Sequence, residues 1–189
     1  MKKYEFTGEI KQVSGITLHR IRAVRALERF AVRAGDDGGW VEMEENLSQY
    51  GDAWVYGNAQ VSGGARVFGS AQVFGDARVF GSAQVSGDTR VSGSVQVYGN
   101  ARVYGYAILS GAARVYGNAQ VSGDAQVSGY ASVYGDACVF GSAQVYGVAY
   151  VFGNAHVSGI ARVNGAARVH GGDWELIGDA PTIIPAEEE

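Results

Sequence analysis

Cysteine occurs once in the 189 residues, at Cys138, which excludes an internal disulfide framework and any zinc site built on cysteine spacing. Histidine is confined to His19, His156 and His170, and no metal site is expected. The three lysines, Lys2, Lys3 and Lys11, all precede residue 50, and the formal charge is −4. No strongly basic face follows from that distribution, so nucleic acid is not an expected partner. No run of about eighteen apolar residues exists, so no membrane span is expected. The opening MKKYEFTGEI has basic residues but no apolar core, so a signal peptide is not expected and a soluble, cytoplasmic protein is. Proline appears only at Pro181 and Pro185, where it marks the exit into an acidic tail ending in Glu187, Glu188 and Glu189.

What is abundant is periodic. From Gly51 to Gly171 a glycine recurs every six residues, and between glycines the pattern is V-x-G-x-A-x. Valine recurs every sixth residue from Val55 to Val169, with Leu109 its one substitute. As far as Val163, alanine stands at the fourth place after each valine of the repeat except at Thr89 and Val95. A strict period of this length marks a parallel β-helix, not low-complexity disorder. Strand side chains alternate, so Ala59 and Val61 point inward while Gln60 and Ser62 point outward. Pairs such as Gly57-Asn58, Gly75-Asp76 and Gly81-Ser82 make the corners, since glycine and Asn/Asp tolerate positive φ. Three such units close a triangular lap of eighteen residues. About seven laps give an all-β prism on the order of 30 Å long at ordinary strand spacing.

A prism of this kind exposes strand edges at its ends and needs caps. Residues 1–50 read as an N-terminal β-hairpin cap, with strands at Tyr4 to Val13 and Ile16 to Leu27 around Ser14-Gly15. Gly35 to Gly39 then reads as a loop, with Trp40-Val41 restarting extended structure. Residues 51–172 form the β-helix, and 173–189 form a C-terminal cap and tail, with Trp174, Leu176 and Ile177 over the last lap.

Residues eighteen apart stack, so every outward position becomes a column. One column reads Ser62, Phe80, Tyr98, Tyr116, Tyr134, Phe152, His170, an exposed aromatic ladder. The corner leading into that face turns apolar at Tyr130 and Val148, and Tyr150 adds to the same region. Together these residues make a patch suited to a partner: a second copy, with a homotrimer as the leading form, another protein, or a carbohydrate. Equally, stacked aromatics can serve only to brace neighbouring strands. A flat threonine array of the ice-binding kind is excluded, since the repeat holds only Thr89.

Catalytic candidates are sparse. His156 falls one lap after Cys138, and a Cys–His pair can be a nucleophile with its base. No third orienting residue is evident, and a flat face excludes little water. The repeat's arginines are spread over all faces and read as a solvated surface, although Arg78, Arg114 and Arg168 share the aromatic face.

The segment GGWVEMEENLSQYGDAWVYGNAQV (Gly38 to Val61), feeding directly into hexads and preceded by LHRIRAV, resembles the YdcK-like hexapeptide-repeat proteins of bacterial and prophage genomes. That resemblance covers the whole chain and implies a single-stranded, left-handed β-helix of the LpxA-like type. Members often carry an acyltransferase label. Characterised hexapeptide acyltransferases usually trimerise, bind acyl-coenzyme A between prisms, and place a catalytic histidine beside a loop inserted into the laps. Here the register never slips between Gly51 and Gly171, so no inserted loop is present and no histidine maps onto that one. The first expectation is therefore a non-catalytic binding or structural solenoid without a cofactor. The alternative is acyl-CoA-dependent transfer with His156 as base.

Overall fold

The computed structural model describes residues 2–176 and 182–183. It is a parallel β-solenoid of about seven laps with three faces. Most hexads contribute a two-residue strand such as Gln96–Val97, which pairs with the strands one lap before and one lap after. The ladder face carries Val61, Val79 and Val97; the Phe68 face carries Val67, Val85 and Val103; the Phe74 face carries Val55, Val73 and Val91. Every lap between residues 54 and 170 advances by eighteen, as in Arg78↔Gln96↔Arg114.

The interior is the alanine and valine of the repeat, fully buried at lap after lap, with Leu109 in one valine site. Each buried valine stabilises by roughly 1.5 kcal/mol or more, and alanine lets the three walls approach closely. Three backbone bonds per hexad tie a lap to the next, for example Gln96 N–H to Ala113 O at 3.0 Å, Tyr98 N–H to Val115 O at 3.0 Å and Ser94 N–H to Gly111 O at 2.7 Å. At every repeat corner the residue with positive φ is the glycine; Asn and Asp beside it keep negative φ. Their tolerance of left-handed backbone is therefore not what qualifies them. Instead their side chains bond along the corner, Asn100 to Asn118 at 3.1 Å and Asn118 to Asp136 at 2.9 Å.

The N-terminal segment departs from the expected boundaries. β1 (Tyr4–Val13) and β2 (Ile16–Ala23) form the antiparallel hairpin, with Ser14 and Gly15 both at positive φ. β2 stops at Ala23, because Leu27 bridges Val32 around a 3-10 turn at Glu28–Phe30. β3 (Asp37–Val41) starts inside the stretch expected to be a loop. A Cβ on Gly38 would lie 2.6 Å from Ile21 and 2.8 Å from Trp54, and one on Gly39 would lie 2.6 Å from Val55. These glycines serve close packing within a strand, not a turn. β3 then pairs parallel with Gln60–Val61, so the hairpin continues the ladder-face sheet. Tyr4, Ile21, Leu27, Leu47 and Trp54 join the solenoid core.

At the other end Asp173–Leu176 forms a strand beside His156–Gly159, with Trp174 in register with Val157. Ile177, Pro181, Pro185 and the terminal glutamates lie outside the described residues.

Thr89 occupies an alanine site, fully buried, and among the described residues its hydroxyl has no hydrogen-bond partner. Val95, at the next alanine site, is also fully buried, so the interior accepts a β-branched apolar side chain. Thr89→Val should therefore stabilise by about 1 kcal/mol, seen as a melting-temperature rise of roughly 2–4 °C. A fall would mean that the hydroxyl is satisfied.

Candidate functional site

The eighteen-residue lap sets the ladder. Phe80, Tyr98, Tyr116, Tyr134 and Phe152 stack ring on ring, with centroids 4.8, 4.9, 4.9 and 5.1 Å apart and interplanar angles of 8° or less. His170 closes the column, tilted by 50° over Phe152 at 4.8 Å. The spacing is that of neighbouring strands, so backbone register alone brings the rings into contact.

Stacking changes the expected exposure. All five aromatics of the ladder are half-buried, because each ring covers the faces of its neighbours and leaves mainly edges to solvent. Burial raises the pKa of the Tyr116 hydroxyl, with Tyr98 and Tyr134 adding to the effect. The open apolar surface lies beside the ladder: Tyr130 is 72%, Val148 46% and Tyr150 40% exposed. Ser132, one lap from Tyr150 and flanked by Tyr130 and Tyr134 in sequence, is buried although it points outward. The Arg168 guanidinium stands 5.7 Å from the Tyr150 ring and 5.8 Å from that of Phe152. At the other end of the ladder, Val13, Ile16 and Leu18 of the hairpin enclose a cleft of about 210 Å³ with Ser62 and Phe80.

Cys138 and His156 are register partners on the Phe68 face, as their spacing requires. A third residue is present after all: Asp173 Oδ1 lies 3.1 Å from His156 Nδ1. It escapes the lap arithmetic because the final lap is one residue short, pairing His156 with residue 173 instead of 174. The column Cys138, His156, Asp173 nevertheless lacks the features of an activated nucleophile. The thiol donates to the Asp136 carbonyl at 3.7 Å, and among the described residues it shares no hydrogen bond with His156. Burial, then Asp136, pushes the Cys138 pKa up and keeps the sulfur protonated. The His156 and Asp173 side chains are 49% and 86% exposed, so water screens their pairing.

His19 sits in β2, stacked on Phe6 at 4.9 Å, away from the other histidines. Among the described residues no group of three His, Cys, Asp or Glu side chains could hold a metal ion. No helix among them is long and apolar enough to cross a membrane. Two larger clefts, of about 800 and 760 Å³, lie where the N-terminal segment meets the first laps. Lap arithmetic had no access to them, because they depend on how residues 28–31 and 44–50 fold back onto the prism.

A family model described as the YdcK beta solenoid repeat matches the chain in six windows, residues 59–73, 71–87, 83–97, 95–111, 113–129 and 119–135. No curated protein matches the chain.

Proposed function

The chain is a YdcK-like β-solenoid repeat protein, and from that premise we propose that it is a rigid, non-catalytic binding module that self-associates as a homotrimer through the ladder face. The observation that carries this reading is the open apolar surface of Tyr130, Val148 and Tyr150 on consecutive laps at one corner and the adjoining face. Aromatic side chains on a stiff backbone lose little freedom on association, which suits them as interface anchors. The patch spans a corner and a face, so corner meets face in a head-to-tail contact. Such a contact closes a ring when each copy is turned by a third of a revolution from the last, and the homotrimer of this proposal is that case. In this reading the prism winds left-handed in the cytoplasm, and the N-terminal segment shields its first lap.

The test is solution mass by light scattering across a concentration series. The wild type should approach three chain masses. Tyr130→Asp combined with Tyr150→Asp should raise the dissociation constant by about a hundredfold or more, with far-UV circular dichroism unchanged. These exposed positions are cleaner probes than Tyr134 or Phe152, whose loss would also break ladder contacts. A strictly monomeric wild type, or variants of unchanged mass, would remove the proposal.

One observation favours a second reading, acyl-CoA-dependent acyl transfer: the Asp173 carboxylate at His156 Nδ1 could orient that imidazole as a base. A cleft shared between subunits would then hold the acyl-CoA. Absence of any melting-temperature shift at millimolar acetyl-CoA would dispose of it.

A further inference from the structure

The 3-10 turn at Glu28–Phe30 reaches across the Phe74 face and is pinned there by one side chain. Arg29 Nη2 lies 2.7 Å from Asp88 Oδ1, and its Nη1 donates to Ser70 Oγ at 3.1 Å. Ala31, which ends the turn, holds a left-handed φ of 53°. Beneath the pinned turn lies the cleft of about 800 Å³, inside the usual range of roughly 300–1,000 Å³ for small-molecule sites.

Its floor is built from outward side chains of consecutive laps, with Arg90 in register between Gln72 and Ile108. Its rim is a single corner column, Asp88, Tyr106 and Asp124, each held by a backbone bond to the next lap: 2.7 Å to Gly105 O, 2.8 Å to Gly123 O and 2.8 Å to Gly141 O. The rim therefore presents carboxylate, aromatic ring and carboxylate in a row at strand spacing, about 5 Å apart. The Tyr106 ring is 63% exposed. Among the described residues neither Arg90 nor Asp124 has an ion-pair partner, so both keep their polar groups for a ligand.

This arrangement selects among ligand classes. A sugar ring is apolar on its faces and fringed with hydroxyls, so it matches a flat aromatic plate set between carboxylate, guanidinium and amide groups. Arg29 and Asp88 cancel, Arg90 offsets Asp124, and Glu28 leaves the cleft with one net negative charge. That balance disfavours phosphate and sulfate groups. A floor that sets Gln72 and Arg90 beside Phe74 and Ile108 disfavours a purely apolar ligand and suits one with both apolar faces and polar edges. We infer that this cleft binds a neutral oligosaccharide, stacked on Tyr106 and held by Asp88, Arg90 and Asp124. It lies at the opposite edge of the Phe74 face from the Tyr130 corner, so it stands independently of self-association.

Saturation-transfer NMR with maltotriose, cellotriose and triacetylchitotriose, followed by calorimetric titration of the best binder, tests the site. At least one trisaccharide should bind at millimolar concentration or better. Tyr106→Ser should weaken it by about tenfold, and Tyr104→Ser, at an exposed position on the Phe68 face, should leave affinity unchanged. Should Tyr106→Ser lose its β signal, Arg90→Gln supplies the same readout from the cleft floor. A heparin-derived trisaccharide should bind more weakly than the neutral one. Silence from all three neutral sugars at about 10 mM, full affinity in the cleft variants, or preference for the sulfated sugar would each overturn the inference.

Discussion

Gly93→Ala should be among the most damaging single-methyl changes in the chain, and Gly57→Ala, in the same structural position of another hexad, should be mild. Both glycines have left-handed backbone, at φ +72° and +55°. An alanine there costs about 1–2 kcal/mol from conformation alone. The difference lies in what the added methyl meets. At Gly57 nothing lies within 4 Å, whereas at Gly93 the new Cβ would sit 2.5 Å from the Gly111 carbonyl oxygen. That oxygen already accepts the Ser94 N–H at 2.7 Å, so the methyl must displace a lap-to-lap hydrogen bond or open the corner. Loss of that bond adds about 1–3 kcal/mol, for a total of roughly 2–5 kcal/mol. Melting temperature should fall by on the order of 10 °C for Gly93→Ala and by a few degrees for Gly57→Ala. In a quasi-one-dimensional solenoid the damage is also local, so Gly93→Ala should broaden or split the transition as laps on either side unfold separately. Equal losses in the two variants would show that conformation, not lap-to-lap contact, is why glycine recurs.

The same contrast explains what was legible in the sequence. Between residues 54 and 170 every contact that matters recurs with the lap, so the positions of Val97, Tyr116 or Cys138 follow from counting. Counting fails where the lap length changes. Trp40 pairs with Gln60 across twenty residues and His156 with Asp173 across seventeen. These are the places where the hairpin joins and where Asp173 reaches His156. Gly38 and Gly39 show a second limit: glycine needed for close approach has the same letter as glycine needed for a turn. The ladder shows a third. Its column was readable from spacing, but its half-burial arises from ring-on-ring stacking, which a one-lap projection of outward positions does not contain. The cleft under Arg29 was hidden for the same reason as Asp173, since Arg29 and Asp88 are joined by the path of an aperiodic turn.

That aperiodic segment also sets the pH dependence of stability. Lys3 is fully buried, with its ammonium donating to the Ala53 carbonyl at 2.7 Å. Burial first, then the nearby Arg25, lowers its pKa from 10.5 to about 8, with Asp52 opposing. Below pH 8 both folded and unfolded chains carry the charge, and the folded state bears the whole desolvation penalty. Between about pH 8 and 10.5 the unfolded chain still holds a proton that the folded chain has released, so stability rises with pH. The full gain is on the order of 3 kcal/mol. Tyr4 acts in the opposite sense. Its hydroxyl lies 2.9 Å from both the Glu44 and Leu47 carbonyl oxygens and shares its one proton between them, and burial, followed by Glu44 and Glu45, raises its pKa. Its contribution is intact below the ordinary tyrosine value of about 10 and is lost as pH climbs above that. Chemical denaturation as a function of pH should thus show stability rising from about pH 8 to 10 and falling beyond. Lys3→Met should flatten the rise and keep the fall, and Tyr4→Phe should keep the rise and remove the fall. A wild-type profile flat across pH 8 to 10 would mean that Lys3 is hydrated in solution, and the packing of the N-terminal segment against Ala53 would have to be given up with it.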